Sequence, residues 1–289
     1  MTIKSILCFS VIQCIVTASC SAQVCVNTEK NPVSTKTPVI TNQTPEKPLA
    51  KYTLDDVLNR LRLKTTALKS YKCRIEYLFI QDPELLDSRT LRKGALYYLK
   101  NKPNSDLKNK PNSYLRLDFD TIKQDDGVET GQKEQFLYDG VWLAKIDYQL
   151  SKVDYYQQAP EGKPQDVFEF VSENFPIVGF SKTDDLQKQF EIKLVELPVD
   201  PNDPVHLHLT VRKDSIYKDD YRYIDFWIDG RTFLPARVVS KSTADDVYDI
   251  QFLDAVIDKN LENALFAVET PASFSRIRHP MTKESEQDR

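Results

Sequence analysis

The sequence predicts an α+β fold in which one curved antiparallel sheet is covered on one side by a few helices. Three observations carry this. Short runs with period-2 apolar alternation follow one another along most of the chain, separated by turn residues. Helix-like segments are few and gathered in a few places, so the strict βαβ alternation of a parallel sheet is absent. Tyr and Phe number 14 each against 7 Gly, a balance that suits pleated surfaces.

The first residues set the compartment. Lys4 is the only charge before Glu29, and Ser5 to Ala18 is almost wholly apolar. Small residues follow at Ala18-Ser19-Cys20-Ser21-Ala22. A charged start, a short apolar run and a small-residue exit describe a secretory signal peptide over residues 1–22. The run is too short for an ordinary membrane span. Cleavage after Ala22 would leave Gln23 as the first residue. Alternatively, Thr17-Ala18-Ser19-Cys20 resembles a lipobox, with Thr17 where an aliphatic residue is usual; acylated Cys20 would then tie the chain to a membrane. Either route predicts export from the cytoplasm. Residues 23–50 carry Pro32, Pro38, Pro45 and Pro48 and no apolar period, which predicts a flexible tether. The folded part is expected over residues 51–277, with a polar tail at 278–289.

Removing residues 1–22 removes one of 39 basic residues and no acid, leaving 38 against 43, a net charge of −5. Nucleic acid calls for a basic footprint and is not expected as a partner. Of five Cys, Cys8, Cys14 and Cys20 lie in or beside the signal. Cys25 and Cys73 could pair in an oxidising compartment. Cys25 falls in the tether and Cys73 in a strand, so no structural disulfide is expected.

The folded part opens with a helix. Thr53 is its N-cap, with Asp56 at capping-box spacing, and Leu54, Val57, Leu58 and Leu61 make one apolar stripe. It should end near Leu68–Ser70. In Tyr71–Phe79 one face carries Tyr71, Cys73, Ile75, Tyr77 and Phe79, as in a half-buried antiparallel strand. Leu91–Lys100 and Tyr114–Phe119 are the second and third strands. Between them the octapeptide Leu99–Asp106 is followed at once by Leu107–Tyr114, seven of eight positions being identical. Its Pro and Asn-Ser predict a long loop produced by a tandem duplication at a surface hairpin.

Gln135–Tyr148 holds Asp139-Gly140 between two apolar runs, a hairpin signal in which both turn positions want φ > 0. Lys152–Gln157 is a further strand. Asp166–Phe175 and Thr183–Phe190 read as helices. Strands resume at Phe190–Leu197, Val205–Arg212, Tyr221–Ile228, Leu234–Ser240 and Val247–Phe252, with a turn at Asp229-Gly230.

Signatures of chemistry are missing. There is no G-x-S-x-G, no H-E-x-x-H and no Gly-rich phosphate loop, and three His leave few general bases. His206 and His208 share a strand face at a spacing that could begin a zinc site. No third ligand is obvious, and Leu207 and Leu209 facing the core would turn both rings to solvent. The acid pairs Asp125-Asp126, Asp184-Asp185, Asp219-Asp220 and Asp245-Asp246 fall at turns or a helix start, where Asp bonds backbone amides. No catalytic residue, metal or cofactor is expected. A half-open sheet under helices leaves room for an apolar hollow, the usual setting of a small-molecule site.

The order of motifs resembles the LolA-like outer-membrane lipoprotein-sorting proteins. Gly94-Ala95-Leu96 with Lys-Pro and Leu115–Phe119 is similar to the family's G-x-L, basic-Pro and R-x-x-F stretch. Phe136–Leu143 looks like its D-G hairpin, Asp184–Lys193 like its short helix leading into a strand, Ile224–Arg237 like its run ending in Leu-Pro, and Asn260–Pro271 like its closing N, F, P run. The likeness spans Tyr52 to Phe274.

It implies an unclosed β-barrel with an α-helical lid over an apolar cavity that takes acyl chains. The function implied is a monomeric periplasmic carrier of an acylated lipoprotein or lipid, moving between an inner-membrane transporter and an outer-membrane receptor. The same fold also serves RseB-like envelope sensors and membrane-anchored LolB-like receptors, the latter if Cys20 is acylated. Cavity candidates are Tyr77, Phe79, Leu96, Tyr98, Leu117, Phe119, Trp142, Phe226 and Trp227. By resemblance, Lys102 and Lys110 of the two Lys-Pro copies are candidates for control of lid and ligand. Lys stands where the family has Arg, and an ammonium does not reproduce a guanidinium fork.

Overall fold

A computed structural model describes residues 53–101, 112–174, 183–196, 200 and 202–281. The expected signal and tether, both Lys-Pro copies with Lys102 and Lys110, and Cys25 lie outside the described residues.

Helix α1 spans Leu54–Ala67. Thr53 caps it as the spacing predicts. The Thr53 hydroxyl oxygen accepts from the Asp56 amide at 3.2 Å, and the Thr53 amide donates to the Asp56 carboxylate at 3.0 Å. Val57, Leu58, Leu61 and Thr65 are its buried stripe.

Among the described residues twelve strands form one open sheet. They are β1 (Ser70–Gln81), β2 (Ser88–Lys100), β3 (Ser113–Gln124), β4 (Thr130–Tyr138), β5 (Trp142–Asp147) and β6 (Lys152–Gln157), then β7 (Phe190–Glu196), β8 (Val205–Val211), β9 (Tyr221–Ile228), β10 (Pro235–Ser242), β11 (Val247–Ile257) and β12 (Ser275–His279). Their order across the sheet is β12-β6-β5-β4-β3-β2-β1-β11-β10-β9-β8-β7. Each half is a meander, and the β1–β11 pair joins the halves. The order begins at β12 and ends at β7, so the curved sheet is not closed. Helices α2 (Val167–Asn174) and α3 (Thr183–Gln189) fall between β6 and β7. This is the α+β architecture read from the sequence.

Cross-strand partners share a face, so the register sorts the side chains. One row runs Phe252–Ile75–Gly94–Phe119–Glu134, and a parallel row begins Tyr71–Tyr98–Leu115–Tyr138–Leu143. This inner face continues through Ile250, Val238, Phe226 and Leu207, the last three fully or almost fully buried. The outer face of β4–β6 has its own cluster of Leu137, Ala144, Ile146 and Val153. Val268 and Phe274, from the segment after a 3₁₀ turn at Asn263–Phe266, pack against it. Phe266 stacks on Tyr114, and Arg116 donates to the Leu265 carbonyl at 2.7 Å.

Several local expectations change. Only Gly140 of Asp139-Gly140 takes positive φ. Asp139 instead uses its carboxylate, which accepts from the amides of Val141 and Trp142 at 2.9 and 2.7 Å. At Asp229-Gly230 the positive φ falls on Phe233, while Asp229 accepts from Arg231 and Thr232. An Asx turn thus replaces the primed turn at Asp139-Gly140, and an Asx turn also forms at Asp229. Strand β3 is longer than its alternation suggests, because a register shift near Phe119 breaks the pattern that marks a strand. Strand β12 has no counterpart among the expected elements. It is exposed throughout and pairs in parallel with β6, so Arg278 and His279 of the expected tail belong to the sheet.

Candidate functional site

Between the inner face and the helices lies an apolar cavity of about 140 Å³. Its floor is Tyr71, Ile75, Leu96, Tyr98, Leu115 and Leu117 from β1–β3, with Ile250 and Phe252 from β11. Its roof is Thr65 and Leu68 at the end of α1 and Val167, Phe168, Phe170 and Val171 of α2. Leu234 and Pro235 close one side.

Helix α2 is held down by identifiable contacts. Ser113, fully buried, donates from Oγ to the Asp166 carboxylate at 2.8 Å and accepts from the Val167 amide at 3.1 Å. Asp166 also accepts from the Phe168 amide at 2.8 Å, acting as the helix N-cap. Two aromatic pairs follow. Tyr98 meets Phe168 at 4.9 Å between ring centroids, and Tyr138 stacks on Phe170 at 4.0 Å. The Tyr138 hydroxyl donates to the carbonyls of Gly140 and Gln165 at 3.0 and 3.4 Å.

Burial keeps the floor uncharged. It pushes the hydroxyls of Tyr71 and Tyr98 far above the usual tyrosine range. The Cys73 thiol is raised to about 12 for the same reason. Cys73 is free and buried.

The candidate residues divide four ways. Leu96, Tyr98 and Leu117 line the cavity. Tyr77, Phe79 and Phe119 share the inner face but stand farther along the strands, where Tyr77 meets Phe119 at 6.2 Å and Phe79 stacks on Tyr248 at 5.2 Å. Phe226 is inner-face core with no exposed surface. Trp142 and Trp227 do not face the cavity. Trp227 follows Phe226, and Trp142 precedes inward-facing Leu143, so strand alternation turns both outward. There Trp142 carries Arg278 at 5.5 Å, while Trp227 has Arg237 at 5.0 Å and the stacked His206 ring at 4.3 Å.

Sequence reading did not name the roof as site. Val167, Phe168, Phe170 and Val171 belong to a segment whose helical character was legible, but nothing local says which surface that helix covers. The long-range contact of Ser113 with Asp166 settles it.

His206 and His208 lie on the outer face, and each ring contacts the Asp225 carboxylate at 2.9 Å. Leu207 and Leu209 are core, as the alternation requires. Among the described residues no group of three or more His, Cys, Asp or Glu is arranged to hold a metal ion. Two of the acid pairs serve turns through their side chains. Asp125 accepts from the Arg89 amide at 2.6 Å, Asp246 accepts from the Asp82 amide at 3.0 Å, and Asp245 pairs with Arg222 at 2.7 Å and Lys241 at 3.0 Å.

No protein-family model and no curated protein sequence matches the chain. Solved structures do match in fold, among them three at low identity. An uncharacterized conserved protein from Thermus thermophilus aligns with 78% of this chain and 98% of its own, at 11% identity and a TM-score of 0.44. MucB of Pseudomonas aeruginosa, in complex with MucA, aligns with 74% of this chain at 15% identity and a TM-score of 0.38; the alignment spans 60% of the MucB chain. A LolA superfamily protein from Nitrosomonas europaea aligns with 75% of this chain and 99% of its own, at 13% identity and a TM-score of 0.32.

Proposed function

We propose that the protein is a periplasmic carrier that holds acyl chains of a lipoprotein or lipid between its sheet and the α2 lid, without covalent chemistry. The observation that carries this reading is the cavity of about 140 Å³, walled almost wholly by aliphatic and aromatic side chains and roofed by a separate helix. Each methylene buried there contributes about 0.8 kcal/mol, so part of one chain gives useful affinity. Apolar contacts of this kind are not directional, and release requires only that the roof move.

The volume adds a mechanical condition. An apolar cavity of about 150 Å³ takes up one benzene. A whole fatty-acyl chain is several times larger, so loading requires α2 to lift from Tyr98 and Tyr138. Its anchors suit that motion, being two aromatic pairs and a short set of hydrogen bonds at one end. Partners consistent with this role are a membrane-bound donor and a membrane-bound acceptor of the acylated cargo.

Mass spectrometry of lipid extracted from detergent-free purified protein tests the proposal. Acyl-bearing species at near one per protein support it. Lipid-free protein that also fails to take up an acylated peptide contradicts it.

A further inference from the structure

The sheet ends at β12 in an edge that carries both free backbone groups and free charge. Every residue of Ser275–His279 is exposed. Among the described residues β12 pairs on one side only, in parallel with β6. The Ser275 amide donates to the Ser151 carbonyl at 3.0 Å, with Ser275 opposite Lys152. Successive residues of a strand turn their N–H and C=O groups to opposite sides. Ser275, Ile277 and His279 therefore direct theirs at β6, and Arg276 and Arg278 direct theirs away from it. Their backbone donors and acceptors stand in line on the open edge.

The same two residues carry the charge. Both side chains lie on the outer face, since Arg278 is opposite Tyr155 and Tyr155 is opposite Ala144 of the outer cluster. They are roughly 6.6 Å apart along the strand. Each is positioned by uncharged groups. The Arg278 guanidinium lies over the rings of Trp142 and Tyr155, 5.5 and 5.9 Å from their centroids. Arg276 donates to the Thr270 hydroxyl oxygen at 3.0 Å and to its carbonyl at 3.4 Å. Among the described residues neither arginine forms an ion pair with a carboxylate. Exposed Glu269, beside Thr270 in sequence, pairs with neither. Asp154, the acid of β6, projects from the opposite face and is held by Lys152 and His279, each at 2.9 Å.

We infer that β12 is a docking edge for an extended acidic segment of a partner protein, which joins the sheet as a further strand. Main-chain bonds to Arg276 and Arg278 supply affinity, and carboxylates at alternate positions of the segment, opposite the two arginines, supply specificity. A second copy of β12 does not fit this edge, because like charges placed opposite one another destabilise a strand pair. A lipid surface offers no line of backbone donors and acceptors. Such docking does not depend on what the cavity holds.

The test is binding of a short Thr/Val peptide with Glu at alternate positions, and of its Gln counterpart, at neutral pH and low salt. The wild-type chain should bind the Glu peptide roughly fivefold or more tightly, the scale of two surface ion pairs. Hydrogen exchange at the amides of Arg276 and Arg278 should slow when it binds. In Arg276→Gln/Arg278→Gln the preference should fall to near one, with exchange in β4 and β5 as in the wild type. Should that variant not fold, the wild-type preference and its two amides still decide. Equal affinities in the wild type, a preference that survives in the folded variant, or binding that leaves both amides fast would overturn the inference. The chain's own tail is the competing occupant, since Glu284, Glu286 and Asp288 also alternate. Unchanged affinity in Glu284→Gln/Glu286→Gln/Asp288→Asn supports a partner. A gain of roughly fivefold or more would assign the edge to the tail and overturn the partner assignment.

Discussion

Ser113 ties the start of α2 to the sheet. One hydroxyl serves both the Asp166 carboxylate and the Val167 amide. Ser113→Ala removes both contacts and leaves the cap itself intact, at a cost of about 1 kcal/mol. Hydrogen exchange should then rise over residues 165–171 and stay unchanged in β8–β9. Uniform acceleration across the sheet would mean that the contact holds the fold and not the lid. Cys73 offers a second check. With its thiol raised to about 12, the thiolate is scarce at pH 8, and the side chain is 1% exposed. Native protein should therefore resist thiol labelling at Cys73 for as long as the sheet stays closed, as read by peptide mapping. Labelling within seconds would contradict the burial. Residue-level features such as the Thr53–Asp56 box were legible because they are local. The outward turn of Trp142 and Trp227 was legible in principle, since period 2 forbids Phe226 and Trp227 from sharing a face. Aromatic character alone had suggested otherwise.

At the scale of elements, the doubled octapeptide becomes a question of rungs. The β2–β3 ladder ends with Leu99 opposite Tyr114 and Lys100 opposite Ser113, and the Asn101 amide then donates to the Asn112 carbonyl at 2.8 Å. The first copy thus closes β2 and the second opens β3, so the repeat is partly strand and not only loop. Deleting residues 99–106 or 107–114 yields chains that differ at one position, Tyr or Asp before Leu115. Both leave only Lys-Pro between the two Asn, and neither residue suits a two-residue hairpin turn, so the outermost rung opens in each. The second deletion also puts Asp in place of Tyr114 and loses its stack on Phe266, 5.6 Å between centroids. It should melt lower, by roughly 0.5–1.5 kcal/mol of lost aromatic pairing plus the lost apolar burial. Equal melting temperatures would show that the Tyr114–Phe266 pair is not part of the stability. The β4–β5 and β9–β10 hairpins were marked in the sequence by Asp139-Gly140 and Asp229-Gly230. The pairing of β1 with β11 and of β12 with β6 was not, because contacts between residues far apart in sequence leave no local mark.

For the molecule as a whole, the account reduces to a sheet with two unlike faces. The outer face over β4–β6 is closed by the chain's own C-terminal segment. The inner face is filled by core under β7–β10 and is hollow where β1–β3 and β11 meet the ends of α1 and α2. Fold class was legible from alternation and from the grouping of helices. The hollow was not, since an inward aliphatic reads the same whether it touches a neighbour or an empty space. Among the described residues no helix is long and apolar enough to cross a membrane. The most direct test is a titration of a fluorescent acyl-chain ligand into wild-type protein and into Leu117→Glu, with melting curves for both. Leu117 lies on the cavity floor, and a carboxylate there would have to be buried against apolar walls. The account predicts saturable one-to-one binding in the wild type and a loss of tenfold or more in a variant that remains folded. Equal binding by the two folded proteins would contradict it.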